Sequence, residues 1–532
     1  MTPGQSSVST TLKQLVIDRV ASRIWQKDAS LWPPESPGAE PAAEIMGWLE
    51  LPTKLEKQIS LFDEVATRLR DRAITEIVVL GMGGSSMTPE VLRVVFGTQP
   101  GGMNLHVLDT VNPDTIGPVT AALPLPNTAF IVASKSGTTV EPLSLEKYFR
   151  SALADAGVSD VSAHFIAITD AGTPLANRAS EGQFAHWLET PRDVGGRFSA
   201  LTAFGMFPAS ALGIEISNLQ QSAQEIAQAC RADMEDNPGL LLGATLGAHA
   251  LNGRDKVTLI TSPGLERFGL WVEQLLAEST GKHGKGLIPV AGEQLYPTNW
   301  YGEDRNFVYM RLECADNTAT DAHIEKLVTS GQPVLTLNVT DLAGIGAEFF
   351  RWEFATGVAG HVIGIFPFDQ PDVNAAKDKA RAILDSGNLP SDDSISDLET
   401  ALKSLTETPK TGDYVAIGAF LPESDELSHA FSKLRAFITK TTGMATTFGY
   451  GPRYLHSTGQ LYKGGTKSIR FIGIVSHGSG DIKVPGESYT LGALTPAQAY
   501  GDFEVLRDRG RRIRTATLRK NAVAEIEGAL RD

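Results

Sequence analysis

A glycine-rich turn between a predicted strand and a predicted helix is the first place where this sequence could do chemistry. The stretch VVLGMGGSSMTPEVL contains Gly81, Gly83, Gly84, Ser85 and Ser86. Glycine lets a backbone approach a ligand closely, and a helix that starts here presents unpaired N–H groups to an anion. The ligand could be a dinucleotide, a nucleotide phosphate or a phosphorylated sugar.

Two of these ligands have sequence signatures that can be checked. A dinucleotide site favours G-x-G-x-x-G and an acidic residue about 20 residues further on. Here the spacing is G-x-G-G-S without the third glycine, although Asp109 ends the next predicted strand. The Walker pattern of nucleotide-phosphate sites is absent. The dinucleotide alternative stays open but is disfavoured.

A second strand–loop–helix stretch, VASKSGTTVEPL, is rich in hydroxyl groups. Its polar side chains are Ser134, Lys135, Ser136, Thr138 and Thr139. Hydroxyl donors and the N–H groups of a helix start bind a phosphate dianion, and Lys135 adds positive charge. Serine and threonine also cap helices, but one cap needs one hydroxyl rather than four around a glycine. We therefore predict that this loop binds phosphate, with Gly84 and Ser85 of the first turn clearing space for the rest of the ligand.

Arg197 and Glu278 stand in stretches that suit proton-transfer chemistry. In DVGGRFSALTAFG, two glycines let Arg197 lie against a ligand, where a fixed guanidinium stabilises oxyanion charge. In EQLLAESTGKHGKG, Gln274 and Glu278 are four residues apart on one face of a predicted helix. The helix dipole and burial would both raise the pKa of Glu278, as a base working near neutral pH requires. The alternatives are a structural ion pair for Arg197 and an exposed position for Glu278.

Alternating strands and helices must position these residues. Apolar, β-rich runs predict strands at 76–81, 105–109, 129–137, 164–170, 256–262, 307–312, 334–339 and 413–421. Helical patterns include 8–25, 89–96, 142–156 and 264–279. This alternation indicates an α/β fold with parallel sheets covered by helices on both faces.

The same alternation divides the chain into four predicted segments. Residues 1–54 form an N-terminal helical extension, and residues 55–237 and 238–405 form two three-layer α/β/α domains. Residues 406–532 form a smaller C-terminal α/β module.

Composition limits the class of protein. The 532 residues exceed one ordinary core, and a formal net charge of −15 argues against a nucleic-acid binder. The two cysteines, Cys230 and Cys314, make no disulfide framework, and no C-x-x-C or H-x-x-x-H pair suggests a metal site. The sequence shows no signal-peptide pattern and no run of about 18 apolar residues. We therefore expect a reduced, cytoplasmic protein without a membrane partner.

Several motifs, taken together, resemble a known family. The loops GMGGSS and SKSGTT are similar to those of the sugar isomerase (SIS) fold, which hold a phosphosugar. DVGGRFSALTAFG and the Q-x-x-x-E-S-x-G-K pattern of residues 274–282 resemble glucose-6-phosphate isomerases. FDQPDVNAAKDK resembles their F-D-Q-x-x-V-x-x-x-K motif, with departures at Pro371, Asp372 and Asn374. The whole chain, including RYLHSTGQLYKGG, looks most like the isomerase half of transaldolase–glucose-6-phosphate isomerase fusion proteins.

The resemblance implies a role for each matching residue. Glu278 would be the catalytic base, and Arg197 would stabilise the enediolate. Gln274 and Gln370 would contact the sugar, and Lys377 would act in ring opening or on the phosphate side. The implied SIS fold would occur twice, in the two α/β/α domains.

A ring-opening histidine is also implied, but not at the expected place in the chain. The candidate is His456 in LHSTGQ, which lies after Lys377 rather than before the F-D-Q motif. His283 is the reserve, and a surface loop is its alternative. Members of the resembled family are typically dimers in which this histidine comes from the partner subunit. Supply of His456 by the same chain would make a monomer competent.

The implied activity is reversible isomerisation of glucose 6-phosphate and fructose 6-phosphate through a cis-enediol, in glycolysis and gluconeogenesis. This chemistry needs no redox cofactor, and no metal is expected, because no one element carries the cluster of carboxylates and histidines that a hydride-shift isomerase would use for two divalent ions. Two alternatives stay open. One is a different or dual phosphosugar specificity, such as mannose 6-phosphate, and the other is a non-catalytic phosphosugar sensor.

Overall fold

The computed structural model describes residues 3–37, 39–372, 374–387, 395–476, 478, 480–519 and 521–530. Its strands are β1 (Glu76–Gly81), β2 (Asn104–Leu108), β3 (Thr128–Ala133), β4 (Phe165–Asp170), β5 (His186–Thr190), β6 (Lys256–Thr261), β7 (Ile288–Val290), β8 (Arg305–Leu312), β9 (Val334–Val339), β10 (Ile395–Ser396), β11 (Tyr414–Phe420), β12 (Ala445–Tyr450), β13 (Ile469–Ser476) and β14 (Arg512–Leu518).

The α-helices are α1 (Pro3–Ile17), α2 (Val20–Trp25), α3 (Ala42–Ile45), α4 (Leu51–Lys54), α5 (Glu56–Asp71), α6 (Gly84–Phe96), α7 (Pro113–Ala122), α8 (Val140–Asp155), α9 (Pro174–Arg178), α10 (Ala203–Ala211), α11 (Ile216–Ala229), α12 (Pro238–Leu251), α13 (Phe268–Thr280), α14 (Thr318–Thr329), α15 (Ile345–Ile363), α16 (Asn374–Ser386), α17 (Leu398–Thr406), α18 (Asp425–Thr442), α19 (Gly459–Gly464), α20 (Leu491–Asp508) and α21 (Ala522–Gly528).

The first sheet has five parallel strands in the order β2-β1-β3-β4-β5. Four of them match predicted runs to within a few residues, because a sheet covered on both faces requires nearly continuous apolar sequence. Strand β5 lies outside the predicted runs, since HWLET is a short, partly exposed edge strand without such a run. The predicted α/β class with parallel sheets is confirmed.

Two further parallel sheets follow. The second has the order β7-β6-β8-β9, and the third has the order β10-β14-β13-β11-β12. Strand β10 pairs with β14, so the chain joins the third sheet before residue 406, where the sequence analysis begins the C-terminal module. The domain boundaries themselves stay a prediction. We call the third sheet and its helices the C-terminal module.

Two predicted helices differ in their bounds. The helix predicted at 8–25 is divided into α1 and α2 by Arg19, whose φ is 56°. The helix predicted to begin at Pro89 begins at Gly84, so that Pro89 lies inside α6 rather than in its first turn. None of the described helices is long and apolar enough to span a membrane.

Aromatic packing fixes the helix that carries Gln274 and Glu278. Trp271 of α13 meets Phe349 of α15 edge-on, with ring centroids 4.9 Å apart. Phe268 packs on the same Phe349 ring at 5.4 Å. Both aromatic residues of α13 are buried. The opposite face of α13 is therefore directed away from this core.

Candidate functional site

The predicted site residues meet in one cleft of about 540 Å³ beside the carboxyl ends of β1, β3 and β4. Its lining includes Gly84, Ser85, Ser134, Lys135, Ser136, Thr139, Arg197, Gln274, Glu278, Gln370, Lys377 and His456. Thr138 lines a neighbouring cavity instead. The reserve candidate His283 is exposed and is not part of the cleft lining.

The glycines of the first turn make room for protein backbone. Gly83 has a φ of +57°, and a Cβ there would lie 2.8 Å from the carbonyl oxygen of His456. A Cβ at Gly84 would lie 1.9 Å from the carbonyl oxygen of Gly196. The turn therefore lets the segments that carry His456 and Arg197 close over the start of α6.

Asp109, which kept the dinucleotide alternative open, is already paired with an arginine of the same chain. Its two carboxylate oxygens accept hydrogen bonds from Arg453, at 2.7 Å from Nε and 2.8 Å from Nη2. The carboxylate is 2% exposed. A ribose hydroxyl would have to displace this buried guanidinium, so the structure disfavours a dinucleotide here.

The hydroxyl groups of the second loop bond to one another rather than to the next helix. Ser134 Oγ lies 2.9 Å from Thr139 Oγ1, and Ser136 Oγ lies 2.9 Å from Thr138 Oγ1. Thr139 immediately precedes α8, yet its side chain makes no capping bond. This arrangement favours an anion site over simple helix capping.

Lys135 lines the cleft, but its charge is already balanced. Its ammonium group pairs with Asp170, at the end of β4. It also lies 3.2 Å from the carbonyl oxygen of Arg192. Lys377, by contrast, has no ion-pair partner within the described ranges. Lys377 is therefore the better source of uncompensated positive charge.

Arg197 is held between two segments that are distant in sequence. Its Nε donates to Ser279 Oγ at 2.7 Å. Its Nη2 donates to the carbonyl oxygens of Pro367 at 2.7 Å and Asp369 at 3.1 Å, and Nη1 donates to Gln370. At 2% exposure, the guanidinium is fixed in position before any ligand binds. Such preorganisation is what charge stabilisation in a reaction requires.

Glu278 is buried in the cleft wall, which excludes the exposed alternative. It is 8% exposed, and its Oε2 lies 3.5 Å from Arg197 Nη1. Burial raises the pKa of Glu278, while the charge of Arg197 opposes that rise. Gln274, one turn earlier on α13, donates from Nε2 to the carbonyl oxygen of His456 at 3.0 Å.

The F-D-Q segment contributes two different kinds of residue. Gln370 reaches the cleft and accepts a hydrogen bond from Arg197. Asp369 instead pairs with Lys282 and accepts from the backbone N–H of Ser36 at 2.8 Å. Burial lowers the pKa of Lys282 to about 8. This buried pair ties the segment to the end of α13 and to the N-terminal extension.

His456 reaches the cleft from the C-terminal module of the same chain. Its Nε2 lies 2.8 Å from Glu141 Oε1, and Gln498 Nε2 donates to the same oxygen at 2.6 Å. Burial opposes ionisation of Glu141, but His456 and Gln498 outweigh it and the pKa of Glu141 lies below its usual value. An ionised Glu141 accepts from Nε2–H of His456 and so fixes the tautomer of the ring.

Sequence reasoning missed Arg192, which lines the cleft, and Glu141, which holds His456. A signal was available, since Glu141 follows the hydroxyl loop directly in SKSGTTVEP. Nothing in that spacing shows that its partner lies 315 residues further along the chain.

Metal-binding side chains are not grouped in the described part of the chain. No cluster of three or more His, Cys, Asp or Glu residues there could hold an ion.

Known proteins are similar to this chain in sequence and in fold. The family model "Phosphoglucose isomerase" matches residues 55–287. A probable glucose-6-phosphate isomerase of Natronomonas pharaonis is 30% identical over 360 residues, which cover 60% of this chain and 82% of the relative. The chain belongs to the phosphoglucose isomerase family. A glucose-6-phosphate isomerase of Rubrobacter xylanophilus is 28% identical over 379 residues, covering 62% of this chain and 87% of that protein.

Two solved structures share the fold of this phosphoglucose isomerase family member. A hypothetical protein of Thermus thermophilus superposes with a TM-score of 0.60 at 23% identity, covering 72% of this chain and 98% of that one. A glucose-6-phosphate isomerase of Chlamydia trachomatis superposes with a TM-score of 0.53 at 22% identity, covering 69% and 78%. At these identities the likeness concerns the fold.

The family match and the cleft do not cover the same residues. The matched range ends at residue 287, so it includes Arg197 and Glu278. It leaves out Gln370, Lys377 and His456. In the folded chain, these three later residues line the same cleft as Arg197 and Glu278.

Proposed function

We propose that the chain interconverts glucose 6-phosphate and fructose 6-phosphate by proton transfer through a cis-enediolate. The observation that carries this proposal is the buried carboxylate of Glu278, 3.5 Å from the guanidinium of Arg197, in the cleft that also holds the hydroxyl loop and His456. A carbon base, a fixed cation for an oxyanion, a phosphate site and a histidine are the groups that aldose–ketose isomerisation uses.

The hydroxyl loop anchors the phosphate of the substrate. Ser134, Ser136 and Thr139 line the cleft. Thr138 does not, but its Oγ1 lies 2.9 Å from Ser136 Oγ and orients that hydroxyl. The start of α8 adds N–H groups to these hydroxyls. Because Asp170 neutralises Lys135, the side-chain charge for the dianion comes from Lys377 and Arg192, which both line the cleft.

His456 opens the sugar ring. In that step the C1–O5 bond breaks, O5 gains a proton and the hydroxyl at C1 loses one, which leaves an aldehyde. Since Glu141 accepts from Nε2, Nδ1 is the ring nitrogen that exchanges a proton with the sugar. Lys377, which lines the same cleft as His456, assists in this step.

Glu278 then moves a proton between carbons. It takes the proton from C2 and returns it to C1, while O1 gains a proton and O2 loses one. Between these transfers Arg197 stabilises the negative charge that the two oxygens share. General-base catalysis of this kind contributes about 10²–10⁴-fold to the rate.

Because all the residues to which we assign a role come from one chain, we also propose that a monomer is competent. His456 and the base come from the same polypeptide, joined by the bond from Gln274 to the carbonyl oxygen of His456. No residue of a second copy is needed for the steps above.

A coupled assay tests the activity. We expect fructose 6-phosphate to form from glucose 6-phosphate, with exchange of the C2 proton with solvent. Mannose 6-phosphate, assayed in parallel, measures whether the specificity is single or dual. Tight phosphosugar binding without turnover of either substrate would overturn the proposal and indicate a sensor.

A further inference from the structure

The side chain of Gln460 is fully buried where three segments meet. Its Oε1 accepts from the backbone N–H of Asp372 at 2.9 Å. Its Nε2 donates to Asp372 Oδ2 at 2.8 Å and to the carbonyl oxygen of Gly281 at 2.9 Å. The amide oxygen and both amide N–H groups are therefore all hydrogen-bonded, each to a different atom of the neighbouring segments.

Both partners of this amide lie next to proposed site residues. Gly281 follows directly after α13, three residues beyond the base Glu278. Asp372 lies two residues beyond the sugar-contacting Gln370. The amide thus connects the ends of the two segments that bring Glu278 and Gln370 into the cleft.

The amide's own segment carries the ring-opening group. Gln460 lies in α19, four residues after His456. Asp372 makes a second contact with the C-terminal module, because its Oδ1 lies 2.6 Å from Nη1 of Arg509. The carboxylate of Asp372 is therefore bound twice by the module and is 8% exposed.

Close backbone packing leaves this joint little freedom. A Cβ at Gly464 would lie 2.3 Å from Asp372 Oδ2, and a Cβ at Gly281 would lie 2.4 Å from Leu461 Cα. The backbone N–H of Gly284 donates to the carbonyl oxygen of Gly464 at 2.9 Å. Because α19 rests directly on the segment that follows α13, a shift of either segment is passed on to the other, and the amide bonds fix their register.

We propose that Asp372 and Gln460 are positioning residues that set the place of His456 relative to Glu278 and Gln370. The inference rests on the proposed isomerase function. Neither residue is part of the cleft lining, so both act through the segments that they join. Their loss should impair ring opening, the step that His456 performs, more than binding to the rest of the cleft.

Gln460→Leu tests this role because it removes all three bonds at similar volume. We would measure isomerisation kcat and KM, the interconversion of glucose 6-phosphate anomers, and the affinity for an acyclic phosphorylated sugar acid. Anomer interconversion reports ring opening alone, whereas the acyclic inhibitor needs none. We expect kcat and anomer interconversion to fall together by about 10–100-fold, with KM and inhibitor affinity changed less than about threefold.

A matched control is Gln220→Leu. Gln220 is also buried, at 7% exposure, and donates to the carbonyl oxygen of Pro52 at 2.8 Å, away from the cleft. We expect both rates of this variant to stay within about twofold of wild type, since it leaves the joint intact.

An exchange of groups gives a second test that does not depend on a folded Gln460→Leu variant. Gln460→Glu places two carboxylates together, and adding Asp372→Asn restores a donor–acceptor pair between the two side chains, while the bond to the carbonyl oxygen of Gly281 stays lost. We expect the double variant to recover anomer interconversion to within about fivefold of wild type, where Gln460→Glu alone does not.

Two results would overturn the positioning role: unchanged anomer interconversion in folded Gln460→Leu or Gln460→Glu, or an equal loss of inhibitor affinity. Failure of the wild-type protein itself to isomerise glucose 6-phosphate would instead refute the proposed function.

Discussion

The hydroxyl loop is held by bonds within itself, whereas His456 is held by bonds to distant parts of the chain. Ser134 and Thr139 bond across five positions, but His456 and Glu141 bond across 315. These hydroxyl contacts therefore lie within one strand–loop–helix unit, although Lys135 reaches beyond it to Asp170 at the end of β4. The histidine needs the C-terminal module to dock correctly on the first sheet. A perturbation of that docking should spare phosphate binding and damage ring opening.

The two regions also differ in their electrostatics. The loop offers neutral hydroxyls, and Asp170 compensates its one lysine. The histidine segment is held by ion pairs, since the partly buried Arg453 pairs with the buried Asp109 at 2.7 Å and with the partly buried Glu423 at 2.8 Å. Buried ion pairs add little net stability, but a misaligned docking leaves charges unpaired at high cost. The docked arrangement is therefore specific in geometry.

The largest expected effect concerns Glu278, which both regions serve. Glu278→Gln keeps the shape and hydrogen bonding of the side chain but cannot accept a carbon-bound proton. We expect turnover to fall at least about 10³-fold, while binding of an acyclic phosphorylated sugar acid survives. Glu273→Gln, five residues earlier on α13, is the matched control and should retain turnover. Near-normal turnover of Glu278→Gln would place the base elsewhere.

The second prediction tests whether the histidine region acts within one chain. His456→Ala and Glu278→Ala are each expected to lose turnover at least about 10²-fold. After mild unfolding, mixing and refolding, sites built across subunits would regain about a quarter of wild-type activity through mixed dimers. We expect no regain, because His456 and Glu278 line one cleft of the same chain. Recovered activity would contradict supply in cis.

The third prediction separates the loop from the histidine by kinetics. Ser134→Ala removes one cleft hydroxyl and its 2.9 Å contact with Thr139. We expect KM to rise about tenfold while kcat stays within about threefold, because the lost bond holds the phosphate in ground and transition states alike. Thr138→Val is the control, since Thr138 lines the neighbouring cavity, and should change KM less. A fall in kcat at unchanged KM would contradict the anchoring role.

The difference between local and long-range contacts also explains which features the sequence could predict. The strands, the hydroxyl loop and the shared face of Gln274 and Glu278 depend on local apolar patterns and helical spacing, and all of them are found. The bonds of His456 to Glu141, and of Gln460 to Asp372, depend on how distant segments pack, which no local pattern encodes. Even within the hydroxyl loop, the sequence did not reveal that the charge of Lys135 is neutralised, because its partner Asp170 lies 35 residues away.

The smallest expected effect tests the docking surface through pH. Glu273 of α13 and Arg435 of α18 line a cavity of about 260 Å³ between α13 and the C-terminal module. Burial raises the pKa of Glu273 to about 8, although Arg435 opposes the rise. The unfolded chain ionises Glu273 near its usual pKa of about 4.3, while the folded protein keeps the proton. The contribution of Glu273 to stability is therefore fully present below the unfolded-state pKa of about 4.3 and is lost as the pH rises towards 8.

Glu273→Gln removes this titration and keeps an acceptor for the backbone at Ala291. Relative to wild type, the variant should gain unfolding free energy between pH 5 and 8, by at most about 1.4 kcal/mol for each pH unit. Urea unfolding at pH 5, 6.5 and 8 measures the gain.

Glu266→Gln, at an exposed position of the same cavity, is the control, and its unfolding free energy should stay within about 0.5 kcal/mol of wild type at all three pH values. The other buried carboxyl groups, such as Glu348 with a pKa of about 7, titrate alike in both proteins and cancel in the difference. Parallel wild-type and Glu273→Gln curves would show that Glu273 is ionised in the fold, and that its charge is balanced across this docking surface.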